Sequence, residues 1–380
     1  MATVDISTGT VPGTDLPEPE PASSVSPRVV TAAIAGAVTF VLVLAMMLVP
    51  APYAIQSPGP TVDTLSQVDG SPMIAVEGAQ TYPTEGQLRL TTVAVVGGPG
   101  FPASVGDVLR GWLSSSRRVT PREAMFAPEQ SRQEVREQSS AEMTSSQTNA
   151  SVAALSELGY EVPAVLDIAD VPAGGAAEGI VAEGDVLRWI TADDGERVDV
   201  TSFGALADVL AQTPPGTTVT LGVLRSGEEL ALDVVTGDDG SGGSLLGVLI
   251  APDVDLPVDI EIAIEDVGGP SAGLMFALGI VDVLTPGAMT GGEVVAGTGT
   301  ITIDGDVGPI GGIEQKLAGA RRDGATWFLA PQDNCASVVG HVPDGLDVVA
   351  VSTLAEGRAA VEAIAAGDGA SLPGCSAADG

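Results

Sequence analysis

Residues 29–49, VVTAAIAGAVTFVLVLAMMLV, run for 21 positions without a charge, bracketed by Pro27 and Pro50. At about 1.5 Å of rise per residue, a helix of this length crosses a hydrocarbon layer of about 30 Å. A cleaved signal peptide would have a shorter apolar region, of about 7–15 residues, followed by an A-x-A-like site. No clean site follows this longer run, so the sequence favours an uncleaved single-pass anchor whose partner is the lipid bilayer. Arg28 is the only basic residue before it and Arg89 the first after it. Positive-inside logic then places residues 1–28 in the cytoplasm and the main body of the chain outside it, at the cell membrane. That compartment permits a disulfide between Cys335 and Cys375, the only cysteines, although sequence alone leaves two unpaired thiols as the alternative.

Residues 1–28 are rich in Pro, Thr, Ser and Glu and are expected to remain a disordered tail. Residues 51–158 read as a tether over 51–72, a strand in GQLRLTTVAVV (86–96), and helices. Thr120-Pro121-Arg122-Glu123 has the form of a capping box with Pro at the first helical position, which predicts a helix start there. A second helical pattern sets Met143, Ala150, Ala154, Leu155 and Leu158 on one face and stops at Gly159. Residues 159–236 then change texture to short strands and turns around SFGALADVLAQ. GDDGSGGS supplies a flexible linker at 237–244. Residues 245–370 alternate strand and helix, so the fold class is α+β with a small strand-rich unit followed by an α/β unit.

Charge and side-chain inventory exclude several functions. With 50 acidic against 15 basic residues, a net charge of −35 opposes nucleic acid, whose phosphates need a basic surface. A phosphate-binding Walker loop requires Gly-Lys-Ser/Thr, and the only lysine sits in GGIEQKL, so no nucleotide motor is expected. One histidine and two distant cysteines cannot assemble a zinc set, and no metal or cofactor is expected.

The lone lysine is itself informative. Fourteen of the fifteen basic residues are arginine, yet Lys316 is retained within GPIGGIEQKLAGARRDGATWFLA. Lys and Arg serve equally as exposed charges, but only an ammonium loses its proton inside a protein and acts as a base. In GGPSAGLMFALGIVDVL, Ser271 stands where a Gly/Pro turn becomes an apolar helix, with free helix N-terminal amides ready to bind an oxyanion. A Ser-His-Asp triad would have to use His341, which VVGHVPDG places in a surface turn with a structural role. A Ser-Lys dyad is the remaining route. It requires the Lys316 pKa to fall from about 10.4 toward 7, which burial beside Ile313, Leu317 and Ala320 can supply and which an inward-pointing Glu314 would oppose.

GGPSAG around Ser271, GTGTI around Thr298 and GPIGGIEQKLAGARRDG around Lys316 occur in that order. Over residues 245–366 the chain thereby resembles the serine-lysine peptidase domain of Lon proteases, and most closely their membrane-anchored bacterial relatives that also carry a PDZ module (the YlbL group). The resemblance implies that Ser271 is the nucleophile, Lys316 the general base and Thr298 a hydroxyl that orients the lysine amine. It also makes Gly268, Gly269, Pro270 and Ala272 the nucleophile and oxyanion loop. The chain departs from Lon in having Gly268-Gly269 where an acidic residue usually precedes the GPS, which leaves open how the loop is held; Asp266 is one candidate. VPAGGAAEGIVAEGDVLRWI and PPGTTVTLGVLRSGEEL resemble a PDZ domain, a partly open β-barrel with helices that takes a C-terminal peptide as an added strand. Leu158-Gly159-Tyr160 is then a candidate carboxylate-binding loop, unless Gly159 simply caps the preceding helix. These resemblances imply an ATP-independent serine endopeptidase acting on unfolded or extended peptide and protein substrates. The rival is a non-catalytic PDZ scaffold with a degenerate Lon-like domain.

Overall fold

Helix α1 (Pro27–Met47) begins behind Ser26 with proline at its first turn, where the missing N–H costs nothing. It is exposed along its length and is long and apolar enough to cross a membrane. The computed structural model describes residues 26–376 apart from 69, 128–129, 193–194, 196, 239–242, 265–266 and the side chains of 251–253. Most of the expected disordered tail, and Asp266, lie outside the described residues.

From Pro50 onward the chain forms one α+β body on two large sheets. The main sheet runs in the order Asp347–Val351, Trp327–Pro331, Val294–Gly297, Gln87–Val96, Tyr53–Asp63, Arg118–Pro121. The first four strands are parallel and the last two antiparallel. Parallel strands covered on both faces need apolar side chains on both, and Phe328, Leu329 and Ala330 are accordingly all fully buried. Helix α2 (Val105–Trp112) closes the end of the sheet near Pro50. Ser104 caps it through a reciprocal capping box with Asp107.

Helix α3 (Arg132–Glu157) is a single 26-residue rod with a second capping box at Ser131 and Glu134. The helix expected to start at Thr120 is corrected here. Thr120 lies in an edge strand opposite Ala54, and only a single 3-10 turn, Arg122–Ala124, follows. Strand pairing outcompetes the local capping signal, and the helix nucleates at the next Ser-x-x-Glu.

Residues 164–254 form an antiparallel sheet ordered Glu228–Val235, Thr218–Arg225, Val186–Thr191, Ala164–Asp170, Leu249–Val254, packed beneath helix α4 (Phe203–Gln212). Asp185, fully buried, is held by a two-pronged contact from Arg225 at 2.7 Å on each oxygen, which depresses its pKa. The expected boundary at 237–244 is also corrected. Gly237–Asp238 pairs with Ser244–Leu245, and Leu249–Val254 completes the middle sheet, so this unit extends 18 residues beyond its predicted end at residue 236. The apolar run LLGVLI finds an open strand edge.

The chain then returns to the main sheet, so the middle unit is inserted between α3 and helix α5 (Gly273–Leu284). Helix α5 packs with α3 and helix α8 (Leu354–Ala365) on one face of the main sheet. Helices α6 (Ile313–Arg322) and α7 (Cys335–Val338) cover the other face, over Phe328 and Ala330. Cys335 and Cys375 are joined by a disulfide, with Cα atoms 4.9 Å apart.

Candidate active site

Helix α5 is the most deeply buried helix, with eleven of its twelve residues enclosed. Its amino terminus opens where Gly297, Thr298 and Gly299 leave the centre of the main sheet. Ser271 O accepts both Gly299 N–H at 3.0 Å and Thr298 Oγ1–H at 2.9 Å, which fixes the turn before the helix against that strand end. Thr298 is itself fully buried, with its N–H donating to Leu329 O.

Lys316 reaches the same point from the opposite face of the sheet. Helix α6 starts behind Gly312, whose φ of 70° lies in the left-handed region that only glycine adopts freely. One turn later, Lys316 Nζ lies 2.7 Å from Ser271 Oγ and 2.8 Å from Thr298 Oγ1. Lys316 is 3% exposed, and burial pulls its pKa down to about 7. Glu314 does not oppose this shift. Its carboxylate lies 3.9 Å from His341 Nε2, in the surface turn after α7, and desolvation alone accounts for the lowered pKa.

The loop before Ser271 is held by α3. Gly269 N–H donates to Ser139 O at 3.0 Å, and Ser146 Oγ donates to Pro270 O at 2.9 Å. A side chain at Gly268 would place its Cβ 2.7 Å from that of Ser139, and Gly269 has φ of 87°. The double glycine therefore serves close approach to a helix. Pro270 has no N–H and that of Gly269 is already used, so Gly268, Ser271 and Ala272 are left as the loop's candidate oxyanion donors. Ser139, Ser146 and Asn149, which donates to Ile301 O at 3.1 Å, are the supports that sequence reasoning missed. Small polar residues spaced along an otherwise polar helix were the only signal for them. Ser146→Ala removes one of these hydrogen bonds, worth about 1 kcal/mol. The expected outcome is an unchanged fold by circular dichroism with a serine-labelling rate about tenfold lower, since nucleophile placement is exacting.

The residues predicted as a carboxylate loop of the middle unit form the end of α3, where Gly159 and Tyr160 border a cavity lined also by Phe203 and Leu206. Gly159 caps α3, its N–H donating to Ser156 O, and Tyr160 N–H returns to Leu155 O, so Leu158-Gly159-Tyr160 is the helix terminus. An apolar-Gly-apolar loop does stand beside an open strand edge, but it is Leu246-Gly247-Val248, leading into Leu249–Val254. Between that strand and α4 runs a groove of about 500 Å³, whose apolar walls include Phe203, Leu206, Leu210 and Ile250. Thr302, Ile303 and Asp304 of the α/β unit line it too. Reading 237–244 as a linker hid this loop. Among the described residues, no group of three or more His, Cys, Asp or Glu is arranged to hold a metal.

Residues 257–360 match the model of the Lon protease (S16) C-terminal proteolytic domain. Lon protease of Azospirillum brasilense is 40% identical over 103 residues, 26% of this chain and 12% of that protein. Lon protease 1 of Bacillus subtilis is 38% identical over 114 residues, 28% of this chain and 14% of that protein. With Lon protease of Helicobacter pylori the match extends over 181 residues at 30% identity, 46% of this chain and 21% of that protein. The chain thus spans at most about a fifth of the length of these relatives. Solved structures that match include the PDZ domain of an SdrC-like protein from Listeria monocytogenes, at 18% identity and TM-score 0.20, covering 23% of this chain and 86% of that one. The corresponding Listeria innocua domain matches at 21% identity and TM-score 0.20, covering 23% and 92%.

Proposed function

We propose that the chain, through the Lon-type proteolytic domain matched by residues 257–360, is a membrane-anchored serine endopeptidase that works without ATP and uses Ser271 and Lys316 as its dyad. The observation that carries this reading is a buried amine, with its pKa near 7, lying 2.7 Å from a hydroxyl at the mouth of a buried helix. Thr298 donates its own proton to Ser271 O, so its oxygen lone pairs are available to the amine. A neutral amine has two protons and one lone pair. With one N–H directed to Thr298, the lone pair is left for the Ser271 hydroxyl proton.

Ser271 Oγ then attacks a peptide carbonyl while Lys316 takes its proton, and free amides of the loop before α5, among Gly268, Ser271 and Ala272, hold the oxyanion. The ammonium returns the proton to the leaving amine, an acyl-enzyme forms, and water activated by the neutral amine hydrolyses it. Past Leu90, the side of Gln87–Val96 that pairs with Val294–Gly297 has no further strand partner among the described residues. An extended peptide adds naturally to such an edge, which favours unfolded or extended substrates. The groove beside Leu246-Gly247-Val248 supports a PDZ-like role in binding a second, apolar peptide segment. Residues 29–49 serve as the anchor, with the catalytic body outside the cytoplasm. The scaffold alternative rested on Gly268-Gly269, and the seat of that loop on Ser139 supports the catalytic reading over it.

The full chain in mild detergent is to be treated with a fluorophosphonate and digested for peptide mapping, with casein cleavage followed in parallel without nucleotide. The adduct is expected on Ser271, with casein cut by the unlabelled protein alone. An unmodified Ser271 together with intact casein would overturn the dyad.

A further inference from the structure

Six of the fourteen arginines fall between residues 110 and 136, in a chain whose net charge is −35. Arg110, Arg117, Arg118, Arg122 and Arg132 lie at one end of the main sheet with large apolar side chains that the body leaves uncovered. In α2, Val108 and Gly111 turn inward toward Ile55 and Val119, while Trp112 and the following Leu113 face out at 62% and 89% exposure. Phe101, on the neighbouring turn, is 60% exposed, with Arg132 stacked 3.7 Å from its ring centre. Tyr53 meets Trp112 edge-on, with ring centres 6.1 Å apart.

Only Leu48 and Val49 separate Met47, the last residue of α1, from Pro50 in the sequence. Pro50 pairs directly with Ser104, the residue that caps α2. We propose that α2 and the turn to Arg118 form a lipid-docking surface. Trp112 and Leu113 sit at the headgroup level, and Arg117 and Arg118 meet anionic headgroups. This rests on the reading of residues 29–49 as a bilayer anchor.

Three features of the corner fit that partner. Tryptophan is the residue most at home in the interfacial layer, where one part of its ring is wet and the other apolar. Arg110 is already offset by Asp107 at 3.2 Å, whereas neither Arg117, which also acts on Asp107 from farther off, nor Arg118 makes an ion pair among the described residues, so their guanidinium groups can meet phosphates. The excess of acidic side chains elsewhere is repelled by an anionic leaflet, so charge selects this corner to face it. A second copy of the chain is the less suitable occupant, because a twofold pairing would bring two arginine clusters together.

Tryptophan emission of the full chain, reconstituted into vesicles of phosphatidylcholine with or without phosphatidylglycerol, reads this directly when the lipids are brominated high on the acyl chain. Interfacial lodging of one of the three tryptophans predicts quenching of about a third of the emission, stronger with the anionic lipid. Trp112→Phe removes the quenchable fraction, and Leu113→Glu or the pair Arg117→Gln and Arg118→Gln reduces it severalfold. Unquenched Trp112 in chains that a carbonate wash leaves in the vesicles overturns the docking while the anchor stands. Quenching in chains that the wash strips sinks the anchor and keeps the docking. Emission that follows protein density and ignores bromolipid assigns the patch to a second copy and also overturns the proposal.

Discussion

Lys316→Arg is expected to lower peptidase turnover by about a thousandfold or more, although it keeps the positive charge. The proposed dyad requires a nitrogen that is neutral part of the time, and burial favours this by bringing the Lys316 pKa to about 7. A guanidinium keeps its proton throughout the accessible pH range and has no lone pair to offer Ser271. Wild-type activity is expected to rise with pH through about 7 as the amine deprotonates, with kcat/KM on an unfolded substrate as the measurement. The sign of the stability change follows from the same shift. Between about 7 and the unfolded value of 10.5, the unfolded chain carries a proton that the folded one lacks, so stability rises with pH across that window and is lowest below 7. Lys316→Met should therefore stabilise the fold by about 3 kcal/mol at pH 6, with the gain largely gone at pH 10. Urea melts at the two pH values check this. An arginine variant that retained a tenth of wild-type turnover would contradict a lysine base.

How much of this was legible in the sequence depends on whether the signal was local. Ser271 and Lys316 stood out because each carries its own chemistry, a hydroxyl at a helix entry and a lone lysine among arginines. Helix α5 was legible from its unbroken apolar run. Ser139 and Ser146 were not, because they act through contacts about 130 residues away in sequence, and nothing in SSAEMTSSQTNAS says what it touches. Thr120-Pro121-Arg122-Glu123 misled because a helix start is a local preference that pairing with Ala54 overrides. Leu246-Gly247-Val248 was missed for a related reason. The glycine-rich stretch before it has the composition of a linker, and only the pairing of Leu249 with Asp170 shows that the chain is still inside the middle sheet.

Opening the Cys335–Cys375 disulfide is expected to lower stability by about 4 kcal/mol, from the entropy that a closed loop of this length denies the unfolded chain. In a body of this size that corresponds to a fall in melting temperature of about 6 °C. The loss should reach the active site as well. Cys335 follows Asn334, whose side-chain amide both accepts from Ile310 N–H at 2.9 Å and donates to Ile310 O at 3.0 Å. Ile310 leads through two glycines into α6, so the bridge steadies the segment from which Lys316 departs. The Cys335→Ala, Cys375→Ala chain is therefore predicted to melt earlier and, well below its melting point, to react with a serine-directed phosphonate severalfold more slowly. Adding dithiothreitol to the wild-type chain should reproduce both effects and leave the double variant unchanged. A reduced chain that kept its melting temperature but lost reactivity would place the bridge in catalysis alone, whereas loss of stability without change in labelling would confine it to the C-terminal tail.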